Sequence, residues 1–417
     1  MPRNTGLPVV PQELCEIIVD FSRDDLSTLA ACSLVSSAWL PISRKHTFSA
    51  IRLRTSSDVD DLLTISSAGL LGSNHIPRLV RDLCIGGDRD DNQSVLLNPR
   101  LRDLFEQFTS VKTLRLRYLK WLQGSAGHEP VRVLASKATH LHMHYLVFHA
   151  QVNLIQLLCS SPEKRSLNIT GLGFHVMVPE ALCRAEDLAF ISPVVHIASM
   201  TTNFVSYICF HLTMHWAYIS NCPLSLSIDR LTINDYGLEH AVSSAHDLDS
   251  ITTIYIDFLE MQLEDSAEHA LARGVDDEDI PTTVLKVDSV QINGPVILQK
   301  SAAVFSQMLL LALRRRLLRT RRLHFVLDGL QPEDAEPVQC DDLDVALANH
   351  ATKDQRLDAI VFDVQSPAAR LADWVETISS CVPRLLAQCG AHVGIVCSAT
   401  RGGLQGERTT VAEHWWS

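Results

Sequence analysis

VKTLRLRYL at residues 111–119 and THLHMHYLVF at residues 139–148 have the same pattern. In both, apolar and polar side chains alternate: Leu114 and Leu116 flank Arg115, and Leu141 and Met143 separate His140, His142 and His144. Successive side chains of a strand point to opposite faces, so a period of two predicts one buried and one open face. Arg115 and Arg117 on the first strand, and His140, His142 and His144 on the second, then share the open side.

Working outward, the same signature recurs in both directions. Strands are expected in VRDLCIGG from Val80, KRSLNITGL from Lys164, DRLTIND from Asp229, ITTIYIDFL from Ile251 and TTVLKVDSV from Thr282. Three more are expected in RRLHFVLDGL from Arg321, LDAIVFDV from Leu357 and HVGIVCSA from His392. Helical runs stand between several of them: Leu101–Phe108, Val152–Cys159, Ala302–Leu318 and Trp374–Gln388. Alternating helix and strand predict parallel strands joined by crossovers, an α/β chain. The intervals are irregular, roughly 20–40 residues, and the strand cores read L-x-L-x-L, close to a leucine-rich repeat without its usual asparagine ladder. The architecture this favours is an irregular leucine-rich-repeat-like solenoid, or horseshoe. A compact doubly wound domain is the rival, and strand counting does not separate the two.

Before the ladder, residues 7–48 split into three short helical stretches. Pro11 suits a first helical turn, and Leu14, Ile17, Ile18 and Phe21 follow the spacing of one apolar helix face. Asp24 and Asp25 favour the start of a second helix carrying Leu26, Leu29, Ala30 and Leu34. A third runs from Trp39 to Phe48, with Pro41 in its first turn. So small a module cannot bury all its apolar groups, and surplus Trp and Leu are the usual anchors of an interface.

LPVVPQELCEIIVDF followed by LSTLAACSLVSSAWLPISRKHTFSAIRLR resembles an F-box of the kind abundant in mushroom-forming fungi. The matching positions are Leu7-Pro8, Glu13-Leu14-Ile17-Ile18, Leu29-Cys32-Leu34-Val35 and Trp39, while Ser36-Ser37-Ala38 replaces the Cys and Arg common before the Trp. The resemblance covers about the first 55 residues. It implies a three-helix module, residues 1–55, that docks on a Skp-type adaptor and through it a cullin, leaving residues 56–417 to hold a target protein. The adaptor contacts it implies are Leu7, Pro8, Leu14, Ile17, Ile18, Leu29, Cys32, Leu34, Val35 and Trp39. Target contacts are expected on the open strand face at Arg115, Arg117, His140, His142 and His144.

The remaining signals narrow the function class. With 46% apolar and 20% charged residues the chain is a folding one, and a formal charge of -12 argues against general nucleic-acid binding. Eleven cysteines include no CxxC pair, and residues 1–13 lack the apolar core of a signal peptide, so a cytoplasmic or nuclear protein is expected. Asn168-Ile169-Thr170 is then a sequon without a role. The three alternating histidines could ligate a metal, but no carboxylate or cysteine stands nearby in sequence, and no metal or other cofactor is expected. Arg314, Arg315, Arg316, Arg319, Arg321 and Arg322 are read as a solvated helix end, and Asp276-Asp277-Glu278-Asp279 as a solvated loop. Leu188–Ile228 contains no charged residue; it is expected to hold a buried helix rather than a membrane span and to lie outside the strand ladder. Gly402 to Gly406 is expected in a flexible tail. No P-loop, GxSxG, HExxH or GxGxxG motif is present, so the expected role is binding rather than catalysis.

Overall fold

The computed structural model describes residues 11–67, 76–87, 93–121, 128–160, 163–174, 194–203, 206, 210, 213, 225–234, 285–293, 320–327, 330–335, 340–352, 357–388, 392–401 and 407–416. The chain packs as two units, Met1–Val147 and Phe148–Ser417. It is a mixed α/β protein that opens with helices and continues into mostly parallel sheet.

The first unit begins with α1 (Gln12–Phe21), α2 (Leu26–Val35) and α3 (Trp39–Thr47). Asp25 starts α2: its carboxylate accepts from the backbone N–H of Ser27 and Thr28 at 2.9 and 3.1 Å and from both hydroxyls at 2.7 and 2.6 Å. These hydrogen bonds, led by the Thr28 hydroxyl, hold its pKa down at about 2. Val19, Leu29 and Cys32 form the module's small core, with Trp39 and Ile42 packed against it.

Four parallel strands follow in chain order: β1 (Ala50–Leu53), β2 (Asp82–Ile85), β3 (Thr113–Arg117) and β5 (His140–Phe148), with the short β4 (Lys120–Trp121) pairing with β5. The connections carry α4 (Ser56–Ser67), α5 (Ile76–Leu79), α6 (Leu101–Gln107) and α7 (His128–Lys137). Leu53, Ile85, Leu116 and Met143 are register partners and all are buried, as are Leu83, Leu114 and Leu141 one row away. The helices bury Val59, Leu62, Leu104, Phe105, Val131 and Leu134 in turn. Parallel sheets usually have both faces covered; here the second row, Arg52, Cys84, Arg115 and His142, stays partly or fully exposed.

In the second unit, α8 (Gln151–Leu158) precedes β6 (Glu163–Phe174), β7 (Val194–Asn203), β8 (Ser225–Asn234) and β9 (Leu285–Asn293), which pair in parallel in that order. β10 (Arg322–Leu327), α9 (Asp341–Thr352), β11 (Ala359–Gln365), α10 (Leu371–Cys381), α11 (Pro383–Gln388) and β12 (His392–Arg401) extend the parallel order. β13 (Glu407–Trp416) then pairs antiparallel with β12.

Several expectations need correction. Leu188–Ile228 contributes β7 and the start of β8 to the ladder, and Phe210 within it is buried. Asn203, Asn234 and Asn293 are register partners on β7, β8 and β9, so an asparagine row does exist. The Asn203 carboxamide accepts the Ser206 N–H at 2.9 Å, and the Ser206 hydroxyl accepts from Gly171 N–H at 2.8 Å, which ties the end of β7 to β6. β12 and β13 are paired as far as Arg401 and Glu407, and Gly402–Gly406, expected in a flexible tail, lies outside the described residues. The strand expected at Ile251, the helix at Ala302–Leu318, the acidic run at 276–279 and Arg314–Arg319 lie outside the described residues. Arg321 pairs with Asp358 at 2.6 Å.

Candidate functional site

Two surfaces in the first unit carry groups beyond what its folding needs. The first is on the N-terminal helices. In α1 the residues turned inward are Cys15 and Val19, while Leu14, Ile17, Ile18 and Phe21 are 50%, 50%, 45% and 88% exposed. The stripe that reads in sequence as a core face is therefore the outer face of this helix. On α2, Leu26, Leu34 and Val35 are also exposed.

Of the ten residues expected to touch an adaptor, Leu14, Ile17, Ile18, Leu34 and Val35 are accessible. Leu29 and Cys32 are buried and form part of the module's core. Trp39 is partly buried against that core, and Leu7 and Pro8 lie outside the described residues. Phe21 and Leu26 join the surface; the i+7 spacing of Phe21 from Leu14 carried the signal.

The second surface is the open side of β1, β2, β3 and β5. Parallel register brings Arg52, Cys84, Arg115 and His142 into one row, and Arg117 and His144 into the next. Asp82 pairs with Arg115 at 2.7 Å. The row end is shaped by Gly86, whose φ of 102° and closeness to the Arg117 carbonyl leave no room for a side chain. Beyond it Tyr118 and Tyr145 stack, ring centroids 5.1 Å apart, with the Arg117 guanidinium 5.8 Å from the Tyr118 ring centre.

Electrostatics on this face follows from the arginines and from partial burial. Burial, and secondarily Arg115, pushes the His142 pKa down; burial and Arg117 do the same to His144. Burial pushes the Cys84 thiol up, against the pull of Arg52, Arg117 and Arg115. Thr139 Oγ1 lies 2.9 Å from His140 Nδ1. The sequence placed all five candidate target-binding residues, Arg115, Arg117, His140, His142 and His144, on one face, and the register brings them together there. It missed Arg52, Asp82 and Tyr118, which come from short strands or a strand end where alternation is too brief to read, and Tyr145, where the alternation breaks within β5. Among the described residues no three His, Cys, Asp or Glu are grouped to hold a metal ion, and no helix is long and apolar enough to cross a membrane.

Among the described residues of the second unit, a buried polar network centres on Asp363. Asp363, from β11, accepts the Ser398 hydroxyl at 2.6 Å and lies 3.4 Å from His324 and 3.3 Å from Arg408. Burial raises its pKa, but the hydrogen bonds from His324 and Ser398 and the Arg408 charge outweigh that and hold it below the usual range. With Asp363 central and Ser398 bonded to it rather than to the imidazole, this is a tie between β10, β11, β12 and β13, not a nucleophile with its base.

Compared with known proteins, the sequence matches no family model and no curated protein.

Proposed function

We propose that the chain is the substrate-recognition subunit of a Skp–cullin–F-box ubiquitin ligase, bridging a Skp-type adaptor to a target protein. The observation that carries this reading is the outward apolar face of the first two helices: Leu14, Ile17, Ile18, Phe21, Leu26, Leu34 and Val35 around an interior of Val19, Leu29 and Cys32. Such a face is costly in water and fits an apolar partner. It agrees with the resemblance of residues 7–54 to an F-box.

The finer architecture we propose for the rest is a leucine-rich-repeat-like solenoid whose open strand face receives the target. Three features support it: strands paired in chain order, register partners about thirty residues apart over much of the ladder, and the Asn203–Asn234–Asn293 row. Such a subunit performs no bond chemistry. It raises the effective concentration of target beside the ubiquitin-carrying machinery.

The test is affinity purification of the tagged full chain from cells, beside a Leu34→Asp variant. Recovery of a Skp-type adaptor and a cullin by the parent, and loss of both by the variant, is the expected result. A parent that captures neither is a scaffold outside the ligase, the second reading, which the same ladder would serve.

A further inference from the structure

Four described residues have a left-handed backbone. Two are Gly86 and Gly171, at φ 102° and 70°; the other two are Tyr118 and Tyr145, both at 52°. Glycine takes this conformation without strain, whereas bulky L side chains rarely do. The two tyrosines follow directly on the register partners Arg117 and His144, so the strained residues stand side by side, Tyr118 just past the end of β3 and Tyr145 within β5. Their rings stack at 5.1 Å with planes 12° apart, and His144 meets both edge-on at 5.3 and 4.6 Å. Strain retained by large side chains, where the same chain elsewhere uses glycine, points to a use for those side chains.

The surroundings specify the chemistry. Tyr145 is 53% exposed and Arg117 lies against the Tyr118 ring, while Arg52 and Arg115, the latter paired with Asp82, stand in the row before it. Same-face residues of a strand repeat at about 7 Å, the repeat of alternate residues in any extended peptide. Arg115 and Arg117, two residues apart on β3, match carboxylates spaced every second residue. Tyrosine supplies a rigid, apolar ring face beside them.

We infer that Arg52, Arg115, Arg117 and the Tyr118–Tyr145 stack form a subsite for an extended acidic peptide, whose carboxylates meet the arginines while an aromatic side chain lies on the tyrosine rings. The inference deepens the receptor reading and rests on it, since it names the chemistry of the target segment. A single-stranded nucleic acid could also use stacking and arginine. Arg115 already holds a carboxylate, that of Asp82 at 2.7 Å, and this favours the peptide, which supplies the same group.

The experiment is fluorescence anisotropy on the purified full chain. The probe is a fluorescein-labelled peptide of alternating glutamates with a central tryptophan; the same peptide with lysines and an oligothymidylate serve as comparisons. Saturable binding of the glutamate peptide, about tenfold or more tighter than either comparison, is expected. Binding should weaken by about tenfold or more in Arg117→Gln and in Tyr118→Gly with Tyr145→Gly. The double glycine variant should melt no lower than the parent, because glycine relieves the strained backbone. Unsaturable binding, equal affinity for the lysine peptide, tighter binding of the oligonucleotide, or unchanged affinity in the variants overturns the inference. Adaptor capture is scored in parallel. Failed peptide binding with capture intact removes this subsite alone, whereas intact peptide binding without capture removes the ligase reading.

Discussion

Asn293 donates its side-chain amide to the side-chain carbonyl of Asn234 at 2.9 Å, and the two are register partners on adjacent parallel strands. Gln291 in turn donates to the Asn293 carbonyl oxygen at 2.8 Å, so the row is tied along a strand as well as across strands. Half-buried amides that satisfy each other in this way fix strand register, because a slip of one residue would break the bonds.

Asn234→Ala leaves the Asn293 amide without that acceptor. A local loss of about 1–2 kcal/mol is expected. Amide hydrogen exchange should show it as faster opening of β8 and β9, with β2 and β3 unchanged. Equal protection of all four strands in the variant would mean that the row does not contribute.

The helical module predicts opposite outcomes for two leucines on one helix. Leu29 is fully buried and Leu34 is 87% exposed. Leu29→Ala should cost about 2–5 kcal/mol of module stability, whereas Leu34→Ala should stay within about 0.5 kcal/mol. For adaptor affinity, Leu34→Ala combined with Ile17→Ala should lose about 2 kcal/mol or more while the helices stay folded. Circular dichroism melts and adaptor titration separate the two effects. Undiminished adaptor binding by the folded double variant would move the docking surface elsewhere.

These elements differ in how readily sequence reveals them. In β3 and β5 the alternation Leu114, Leu116 and Leu141, Met143 is unbroken, and period two finds them. β7 escaped because its buried residues are Val195, Ile197, Met200 and Thr202, with a three-residue step between Ile197 and Met200. That step recurs in register: Lys164, Ile197, Ile228 and Val287 form one buried row and Leu167, Met200, Leu231 and Val290 the next. β6, β8 and β9 share the step and were found from the alternation beside it, Leu167 with Ile169 and Leu231 with Ile233 for example, where β7 has only Met200 and Thr202. The outward stripe of α1 was visible as a stripe, but spacing does not say whether a stripe faces a core or a partner. That distinction needed the burial of Cys15 and Val19. The Tyr118–Tyr145 stack depends on backbone handedness, which no local pattern records.

The shared row also singles out Lys164. It is 2% exposed at the place where the adjacent strands carry Ile197, Ile228 and Val287. Burial lowers its pKa from 10.5 to about 8. The fold therefore disfavours the charged ammonium. The penalty is full below pH 8, shrinks as pH rises, and is gone above the unfolded value near 10.5. Its full size is of the order of 3 kcal/mol. Thermal melts of the parent should gain stability between pH 8 and 10.5 relative to Lys164→Met, which keeps the volume and removes the charge. At pH 7 the methionine variant should be the more stable. A parent and variant with parallel pH profiles would show that the ammonium is solvated after all.

At the other end of the chain, Trp415 on β13 is the register partner of Gly394 on β12, and its ring lies over the glycine. A methyl group on Gly394 would overlap the ring atoms Cε3, Cζ3 and Cδ2. Glycine weakens a strand in general, so its presence here is explained by the close approach of the indole. Gly394→Ala should cost about 1–3 kcal/mol by forcing the ring out of place. Trp415→Ala alone loses the packing of a ring that is 44% exposed and should cost less than a core tryptophan would. Combined, the two changes should not add, because the three atoms nearest a methyl at 394 all belong to that ring. A double-mutant cycle in thermal or urea unfolding should thus give a coupling energy of about 1 kcal/mol or more. Strict additivity would mean that Trp415 does not rest on Gly394, and that the pairing of β13 with β12 is held by the backbone ladder and the Arg408–Asp363 contact instead.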